Sequence, residues 1–288
     1  MAKYDVVVVG GGIAGSALGA ALAPAGISVL VLERQIEYRD KVRGEYMQPW
    51  GVAELLRLGF EKTLLGAGGG YTPSMVSYDE DVDPAAAEAA AVPLSALVEG
   101  VRGGLAVGHP QASQALNSLA RERGADVRRG VGDVEVVPGA TPVVRYELDG
   151  ALHEVTCRLV VGADGRQSTV RRSLGINLEQ ATSKVTLGGM LVKTDDWRAD
   201  QSVIGTEGDR FYLASPRPDG YVRLYLTCEP GPLTSGADRG SRMLEAFRLS
   251  SMPDSDALAD AEQAGPCAYY VGTDAWTDRP VIEGAVLR

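Results

Sequence analysis

The sequence is poor in the residues that build metal centres and disulfide frameworks. Its 288 residues include three cysteines and two histidines. The cysteines are far apart and form no CxxC pair, which argues against a zinc site and a disulfide scaffold. His109 and His153 are too few and too distant in sequence to hold a catalytic metal without help. We therefore predict reduced thiols, no bound metal and a cytoplasmic location.

Long hydrophobic runs and an excess of positive charge are also missing. No uninterrupted apolar stretch has the roughly 20 residues that a membrane helix needs. The apolar run that begins at Val6 follows Asp5, where a secretion signal would carry positive charge. Lys and Arg number 28 against 38 Asp and Glu, a formal net charge of -10. This balance argues against nucleic acid or an anionic membrane as the main partner and leaves a small molecule.

Hydrophobic residues make up 45% of the chain, enough for a large core, and the first 32 residues have the pattern of a βαβ unit. Tyr4–Val9 is a β-branched run of the kind found in strands buried on both faces. An Ala-rich helix is predicted over Ile13–Ala25, with Gly26 as its end. Ile27–Leu32 is predicted to be a second buried strand. Such a unit is typical of a parallel sheet with crossover helices.

Later segments are richer in strands. Val127–Val137 and Val143–Leu148 are each predicted as a strand, and Asp149-Gly150 predicts a hairpin turn. From Lys184 to Glu229 strand patterns follow one another, and polar and apolar residues alternate through Tyr221–Leu226 with period two. The chain therefore combines a βαβ domain with a β-rich region.

The segment Gly10-Gly11-Gly12-Ile13-Ala14-Gly15 supplies a GxGxxG pattern directly between the first strand and its helix. Gly10 allows a sharp turn, Gly12 allows the backbone to approach a pyrophosphate, and Gly15 allows the helix to pack closely on the sheet. The amino end of the helix, at Ile13 and Ala14, offers free N–H groups and a partial positive charge to an anion. We predict that these residues bind a dinucleotide.

Glu33 stands at the end of the second strand, about 20 residues after the glycines. A carboxylate there can accept hydrogen bonds from both ribose hydroxyls and would repel a 2'-phosphate. The bound adenosine is therefore expected to carry no 2'-phosphate. Arg34 is included in the predicted site beside Glu33. These residues alone do not decide whether the bound dinucleotide is NAD or FAD.

Three further segments carry a resemblance that favours FAD. Arg43-Gly44-Glu45-Tyr46-Met47-Gln48-Pro49-Trp50-Gly51 resembles the segment after the second strand in aromatic hydroxylases and squalene-epoxidase-like flavoproteins. The resemblance implies that Arg43 and Gln48 lie near the pyrophosphate or the flavin edge.

The second segment is Leu159-Val160-Val161-Gly162-Ala163-Asp164-Gly165-Arg166-Gln167-Ser168-Thr169-Val170-Arg171. It resembles the GADGxxSxVR motif of the para-hydroxybenzoate hydroxylase family. The resemblance assigns Asp164 to the FAD ribose region and to the approach path of the nicotinamide dinucleotide, with Gly165 allowing close backbone approach. Ser168 is suited to cap the short helix that follows.

The third segment, Gln111–Leu116, opens a helix similar to the family helix whose first turn contacts the flavin phosphates. Many relatives have arginine where this chain has Gln111, and a neutral amide is a weaker donor to phosphate than a guanidinium. Val131 stands where relatives make a backbone contact to adenine.

The chain thus resembles the class A FAD-dependent monooxygenases over essentially its whole length. This implies an α/β fold, a Rossmann-type FAD-binding domain with a β-rich substrate domain inserted. The expected FAD-binding domain comprises residues 1–75, 100–180 and 268–288, and the substrate domain residues 76–99 and 181–267. The resemblance also implies NAD(P)H as co-substrate and hydroxylation or epoxidation of a small aromatic or unsaturated substrate through a flavin C4a-hydroperoxide.

Because the cofactor carries that chemistry, no protein nucleophile is expected and no catalytic residue is predicted. Three tyrosines of the β-rich region could line a substrate cavity but are interpreted as ordinary strand-face residues: Tyr212, Tyr221 and Tyr225.

The family's third motif, a Gly-Asp pair after a strand, has no counterpart. Gly284–Arg288 resembles that strand, so we expect a truncated family member. A related flavin reductase or halogenase, or a non-catalytic FAD-binding fragment, remains an alternative. The three tryptophans stand singly and do not form the WxWxIP motif of halogenases with this fold.

Overall fold

The computed structural model describes residues 2–42, 44–183, 185–229 and 234–287. The chain divides into two compact units. The first comprises Met1–Arg39, Pro110–Ala181 and Ala275–Arg288, and the second Asp40–His109 and Thr182–Asp274. Residues 40–75, 100–109 and 268–274 therefore belong to the sheet-rich second unit, although the predicted FAD-binding domain included them. The functional roles of the two domains stay a prediction.

Eight α-helices and 21 strands are found in the described residues. The helices are α1 (Ile13–Leu22), α2 (Pro49–Leu58), α3 (Glu61–Gly66), α4 (Pro84–Ala89), α5 (His109–Glu122), α6 (Thr169–Ser173), α7 (Arg239–Glu245) and α8 (Asp256–Ala259). The strands are β1 (Ala2–Val9), β2 (Val29–Glu33), β3 (Tyr46–Met47), β4 (Gly70–Thr72), β5 (Ser74–Asp79), β6 (Val92–Pro93), β7 (Gly104–Ala106), β8 (Asp126–Arg129), β9 (Val134–Val137), β10 (Val143–Leu148), β11 (Ala151–Gly162), β12 (Glu179–Gln180), β13 (Thr186–Lys193), β14 (Gln201–Glu207), β15 (Arg210–Pro216), β16 (Tyr221–Cys228), β17 (Glu262–Gln263), β18 (Ala268–Val271), β19 (Ala275–Trp276), β20 (Val281–Ile282) and β21 (Ala285–Leu287). None of the helices in these described ranges is both long and apolar enough to cross a bilayer.

The first unit contains a sheet in the order β20-β21-β11-β1-β2-β8, with β10 and β9 added beside β11. Strands β21, β11, β1, β2 and β8 run parallel to one another, whereas β20 and β10 pair antiparallel with β21 and β11. All five residues of β2 are buried, as expected for a parallel strand covered on both faces. Helix α1 joins β1 to β2 and continues into a 3-10 turn over Ala23–Ala25. The predicted βαβ unit is confirmed, and so is the end of its helical segment at Gly26.

One strand prediction was wrong. Val127–Val137 is not continuous but forms β8 and β9, because the chain changes partner between them. The Val131 N–H donates to the Glu33 carbonyl beside β2, whereas the Gly132 N–H donates to the Glu147 carbonyl of β10. The predicted hairpin is confirmed: Asp149 and Gly150 have φ of 52° and 74°, and Leu148 pairs with Ala151 across the turn.

The second unit is built on a sheet in the order β17-β13-β16-β15-β14-β5-β6, with β18 also paired to β13. All its pairs are antiparallel except β14 with β5. Alternate residues of β16 enter a core shared with α7 and α8, and these are Val222, Leu224 and Leu226. Arg223 and Tyr225 lie on the opposite face, because side chains alternate along a strand. The predicted period of two is confirmed.

Candidate functional site

The glycine loop leaves β1 in a conformation that only small residues permit. Gly10 has φ +105°, and a Cβ added to it would lie 2.3 Å from the Ala163 carbonyl oxygen. A Cβ on Gly15 would lie 1.8 Å from the Gly10 carbonyl oxygen. The end of β1, the start of α1 and the segment after β11 are therefore packed too closely for side chains at these two positions.

Gly12 is different, because its surroundings in the described residues do not require its small size. Its φ of -68° and ψ of -166° are available to any residue, and an added Cβ would meet no atom of the described residues within 4 Å beyond its chain neighbours and its own helix backbone. Gly12 caps α1 without a side-chain hydrogen bond, and the first N–H groups of a helix, here at Ile13 and Ala14, have no acceptor within the helix. The open backbone and free donors fit a pyrophosphate, whose approach a side chain at Gly12 would block.

Glu33, at the end of β2, is buried with 6% of its surface exposed. One carboxylate oxygen accepts the Gly11 N–H at 2.7 Å, and the other accepts the Gln35 N–H at 2.7 Å. The carboxylate thus joins the glycine loop to the segment after β2. Each oxygen keeps a lone pair for a ribose hydroxyl, so the predicted role fits the geometry. The side chain of Arg34 is exposed.

We expect Glu33→Gln to weaken FAD binding roughly 10- to 100-fold, the equivalent of about 1.5–3 kcal/mol for charge-assisted hydrogen bonds. The glutamine NH₂ would also face one of the two backbone N–H groups that the carboxylate now accepts. Calorimetric titration with FAD measures the change. Glu37→Gln, an exposed neighbour in the same segment, is the matched control and should leave the affinity unchanged. Equal affinities for Glu33→Gln and the parent chain would contradict the assignment.

Asp164 follows β11 and has two different carboxylate oxygens. Oδ2 accepts the N–H groups of Thr169 at 2.6 Å and Val170 at 3.2 Å, so it stabilises the start of α6. Oδ1 is buried and has no hydrogen-bond partner among the described residues. A buried carboxylate oxygen without a donor fits a ligand hydroxyl. The Ser168 hydroxyl accepts the Arg171 N–H at 2.9 Å, which confirms its predicted capping role.

The glycine loop, Glu33 and Asp164 meet at one edge of the first unit's sheet. Val9 is in register with Gly162 of β11 and Leu32 of β2, so all three features follow the carboxyl ends of neighbouring parallel strands. Ligands of open α/β sheets bind at this edge.

The structure places the remaining predicted residues as follows. Val131 follows β8 and is buried, and because its N–H already donates to Glu33, a contact to adenine would use its carbonyl. Gln111 is exposed in the first turn of α5. Gln48 belongs to the second unit, where it caps α2. Gly165 has φ +82° and lies directly after Asp164. Arg43 lies outside the described residues.

The second unit contains a buried ionic cluster that the sequence analysis did not identify. The Arg223 side chain is 1% exposed and the Glu45 side chain 2%. Arg223 donates to both Glu45 oxygens at 2.7 and 2.9 Å and to Asp40 at 2.8 Å. Arg217 donates to Glu45 at 3.2 Å. Burial opposes the charge of Arg223, but its bonds to Glu45 and Asp40 raise the guanidinium pKa. The sequence contains one indication of this cluster. Arg223 lies between the apolar residues Val222 and Leu224 of β16, and a charged residue in such a strand indicates a buried partner of opposite charge.

Two donors of this region have no partner among the described residues. They are Nη1 of Arg223 and the hydroxyl of Tyr225, both buried. Burial raises the pKa of Tyr225 to about 12, so the hydroxyl remains a donor at neutral pH. Tyr212 differs, because its ring is in the core and its hydroxyl bonds Ser251 at 2.9 Å. Tyr221 lies under the Lys193 ammonium, 5.4 Å from the ring centre.

The family of the chain follows from comparison with known proteins. Residues 3–253 match the model of a family described as FAD binding domain. This range covers most of the 288 residues and includes the glycine loop, Glu33 and Asp164. The chain belongs to this FAD-binding domain family.

Similar proteins include a rifampicin monooxygenase of Streptomyces venezuelae, 29% identical over 78% of this chain and 46% of the relative. Squalene epoxidase 5 of Arabidopsis thaliana is 31% identical over 62% of this chain and 35% of its own length. The chain thus spans less than half the length of these relatives. The solved structure of a p-nitrophenol 4-monooxygenase from Pseudomonas putida matches all of this chain and 72% of its own, with a TM-score of 0.83 at 18% identity, and shows the same fold.

Proposed function

We propose that this protein is an FAD-dependent, NAD(P)H-consuming monooxygenase that hydroxylates or epoxidises a small aromatic or unsaturated substrate. The observation that carries the proposal is the placement of the glycine loop, Glu33 and Asp164 at the carboxyl ends of three neighbouring parallel strands. This arrangement suits the adenosine diphosphate half of FAD. The names of the relatives, a rifampicin monooxygenase and a squalene epoxidase, support the reaction class.

Bound FAD supplies the redox chemistry, accepting a hydride from NAD(P)H and reacting with dioxygen, so the protein's own residues bind and orient. The N–H groups at Gly12, Ile13 and Ala14 receive the pyrophosphate. Glu33 accepts from the ribose, and Oδ1 of Asp164 accepts from a second hydroxyl.

The ionic cluster of the second unit suits an uncharged substrate. Asp40 and Glu45 carry two negative charges, and Arg217 and Arg223 carry two positive charges, so the cluster has no net charge. A further buried anion would add an uncompensated charge, which is costly in a protein interior. The unpartnered donors of Arg223 and Tyr225 can still bind a neutral oxygen such as a phenol or carbonyl.

The test is turnover of the purified, FAD-loaded chain with NADH or NADPH, ¹⁸O₂ and a panel of neutral phenols and alkenes. We expect substrate-stimulated NAD(P)H oxidation and a product that carries one ¹⁸O atom. Gly12→Val, designed to lack the cofactor, is the matched control. NAD(P)H oxidation without oxygen transfer would favour a flavin reductase, and a halogenated product in the presence of halide would favour a halogenase. FAD binding without any NAD(P)H oxidation would favour a non-catalytic fragment.

A further inference from the structure

Side chains hydrogen-bond both backbone polar groups of Gly11, the N–H in the peptide with Gly10 and the carbonyl in the peptide with Gly12. The Gly11 N–H donates to Glu33, as described above. The Gly11 carbonyl accepts the Ser16 hydroxyl at 2.7 Å and also the Tyr38 hydroxyl. Ser16 in turn accepts from the Asn117 amide of α5 at 3.2 Å. Two hydroxyl donors on one carbonyl leave the Gly11–Gly12 peptide little freedom to rotate.

The orientation of this peptide decides where the Gly12 N–H points. Among the described residues no peptide bond is cis, so the Gly11 carbonyl and the Gly12 N–H point in opposite directions. With the carbonyl fixed toward Ser16 and Tyr38, the Gly12 N–H is directed away from them. The space that a Gly12 Cβ would occupy is also free of other described atoms within 4 Å. Hydrogen bonds to a carbonyl also polarise the N–H of the same peptide, which makes it a stronger donor.

Tyr38 is held in place by Arg129, the last residue of β8. The guanidinium lies over the Tyr38 ring, 4.5 Å from its centre. It donates to the Gln35 carbonyl at 3.0 Å, to the Ile36 carbonyl and to the Gln114 side chain at 2.6 Å. Arg129 therefore fixes both the ring of Tyr38 and the backbone of the segment that carries it.

We propose that Tyr38 and Arg129 are positioning residues that fix the Gly12 N–H for a phosphate oxygen of the dinucleotide. Tyr38 acts through the Gly11 carbonyl, and Arg129 acts through Tyr38. Burial and the nearby Glu33 carboxylate raise the pKa of Tyr38 to about 12, so its hydroxyl stays protonated and able to donate over the ordinary pH range. The inference rests on the FAD site proposed above.

The same strand provides a matched control pair. Arg128, next to Arg129 in β8, donates to the Tyr146 hydroxyl, and its guanidinium lies 5.7 Å from that ring's centre. This pair contacts Tyr4 at the amino end of β1, whereas the glycine loop follows the carboxyl end. Tyr146→Phe and Arg128→Met therefore remove the same side-chain groups as Tyr38→Phe and Arg129→Met at a different place in the same unit, although the Tyr146 hydroxyl accepts from its arginine and the Tyr38 hydroxyl donates to Gly11.

The experiment measures Kd for ADP, FAD and adenosine, together with unfolding of the ligand-free protein, for the four variants. We expect Tyr38→Phe and Arg129→Met to raise Kd for ADP and FAD about ten-fold, the effect of one hydrogen bond of about 1.4 kcal/mol. Kd for adenosine, which has no phosphate, should stay within two-fold. Tyr146→Phe and Arg128→Met should lower stability and leave all three Kd values unchanged.

Other results would overturn the inference. Unchanged ADP affinity in Tyr38→Phe would show that the Gly11 carbonyl needs no second donor. Equal losses for ADP and adenosine, or equal losses in both variant pairs, would show a structural role only. These results would overturn the positioning role of Tyr38 and Arg129 and would leave the proposed FAD site unaffected. If the parent chain binds neither ADP nor FAD, the proposed function fails and the inference fails with it.

Discussion

Gly12→Val is expected to abolish FAD binding while leaving the fold intact. The Cβ of the added side chain would have no atom of the described residues within 4 Å, apart from those of its chain neighbours and its own helix backbone, so we expect the ligand-free protein to accommodate valine. The backbone angles of Gly12 are also available to valine. Replacing glycine at a helix N-cap costs about 1 kcal/mol or less. The same side chain would occupy the position of the pyrophosphate, so we expect a loss of at least about 100-fold in affinity, or about 2.7 kcal/mol.

Flavin content after purification and titration with FAD measure this loss, and urea unfolding measures the stability. Gly15→Ala is the informative contrast, because its Cβ would lie 1.8 Å from the Gly10 carbonyl oxygen. That variant should lose stability, by roughly 1–3 kcal/mol or more for a forced overlap. A Gly12→Val chain that retains stoichiometric FAD would show that the pyrophosphate binds elsewhere.

Arg223→Met should be the most destabilising single substitution in the second unit. It leaves the Glu45 carboxylate buried with Arg217 as its one remaining ion-pair partner among the described residues, and Asp40 loses its bond to Arg223. Breaking a buried ion pair from one side costs about 3–5 kcal/mol, a large share of the 5–15 kcal/mol of a typical domain. Glu45→Met should have a similar effect for the opposite reason, since Arg217 then loses its bond to a carboxylate and buried Arg223 keeps only its bond to Asp40 among the ion pairs described above.

The double variant Arg223→Met/Glu45→Met tests whether the single variants lose stability because they leave a buried charge without its partner. It removes one charge of each sign and leaves Asp40 and Arg217, so its stability should exceed that of either single variant. Urea unfolding of the four proteins gives the coupling energy. Arg248→Met is the surface control: Arg248 contacts three carboxylates, but all four groups are exposed, so the unfolding midpoint should change little. A strictly additive cycle would refute the interpretation of the cluster as a charge-balanced unit.

The sequence predicted local features more reliably than contacts between distant segments. The βαβ unit, the hairpin at Asp149-Gly150 and the Ser168 cap each depend on a few adjacent residues, and all three are found. The break between β8 and β9 was missed because it depends on partners in β2 and β10, far away in sequence.

In the candidate site, too, residues in short motifs were predicted and contacts between distant segments were missed. The glycines, Glu33 and Asp164 were predicted because each belongs to a short motif, and the structure places them on neighbouring strands. The bond between Glu45 and Arg223 joins residues 178 positions apart, so no local pattern could reveal it. The hydrogen bond of Tyr38 to Gly11 was missed for a related reason, because Tyr38 lies in an irregular segment whose path no periodicity predicts.

The close packing of Gly10 against Ala163 has a consequence for how the chain folds. The glycine loop is synthesised well before one of its walls, because Ala163 follows β11 and comes about 150 residues later in the chain. β1 lies between β2 and β11, so the early βαβ segment has only one of its two neighbouring strands until β11 is made. Such long-range pairings form late and slow folding, because a long loop must close before they contribute. The glycine loop, a motif of six adjacent residues, is therefore among the last parts of the first unit to reach its final shape.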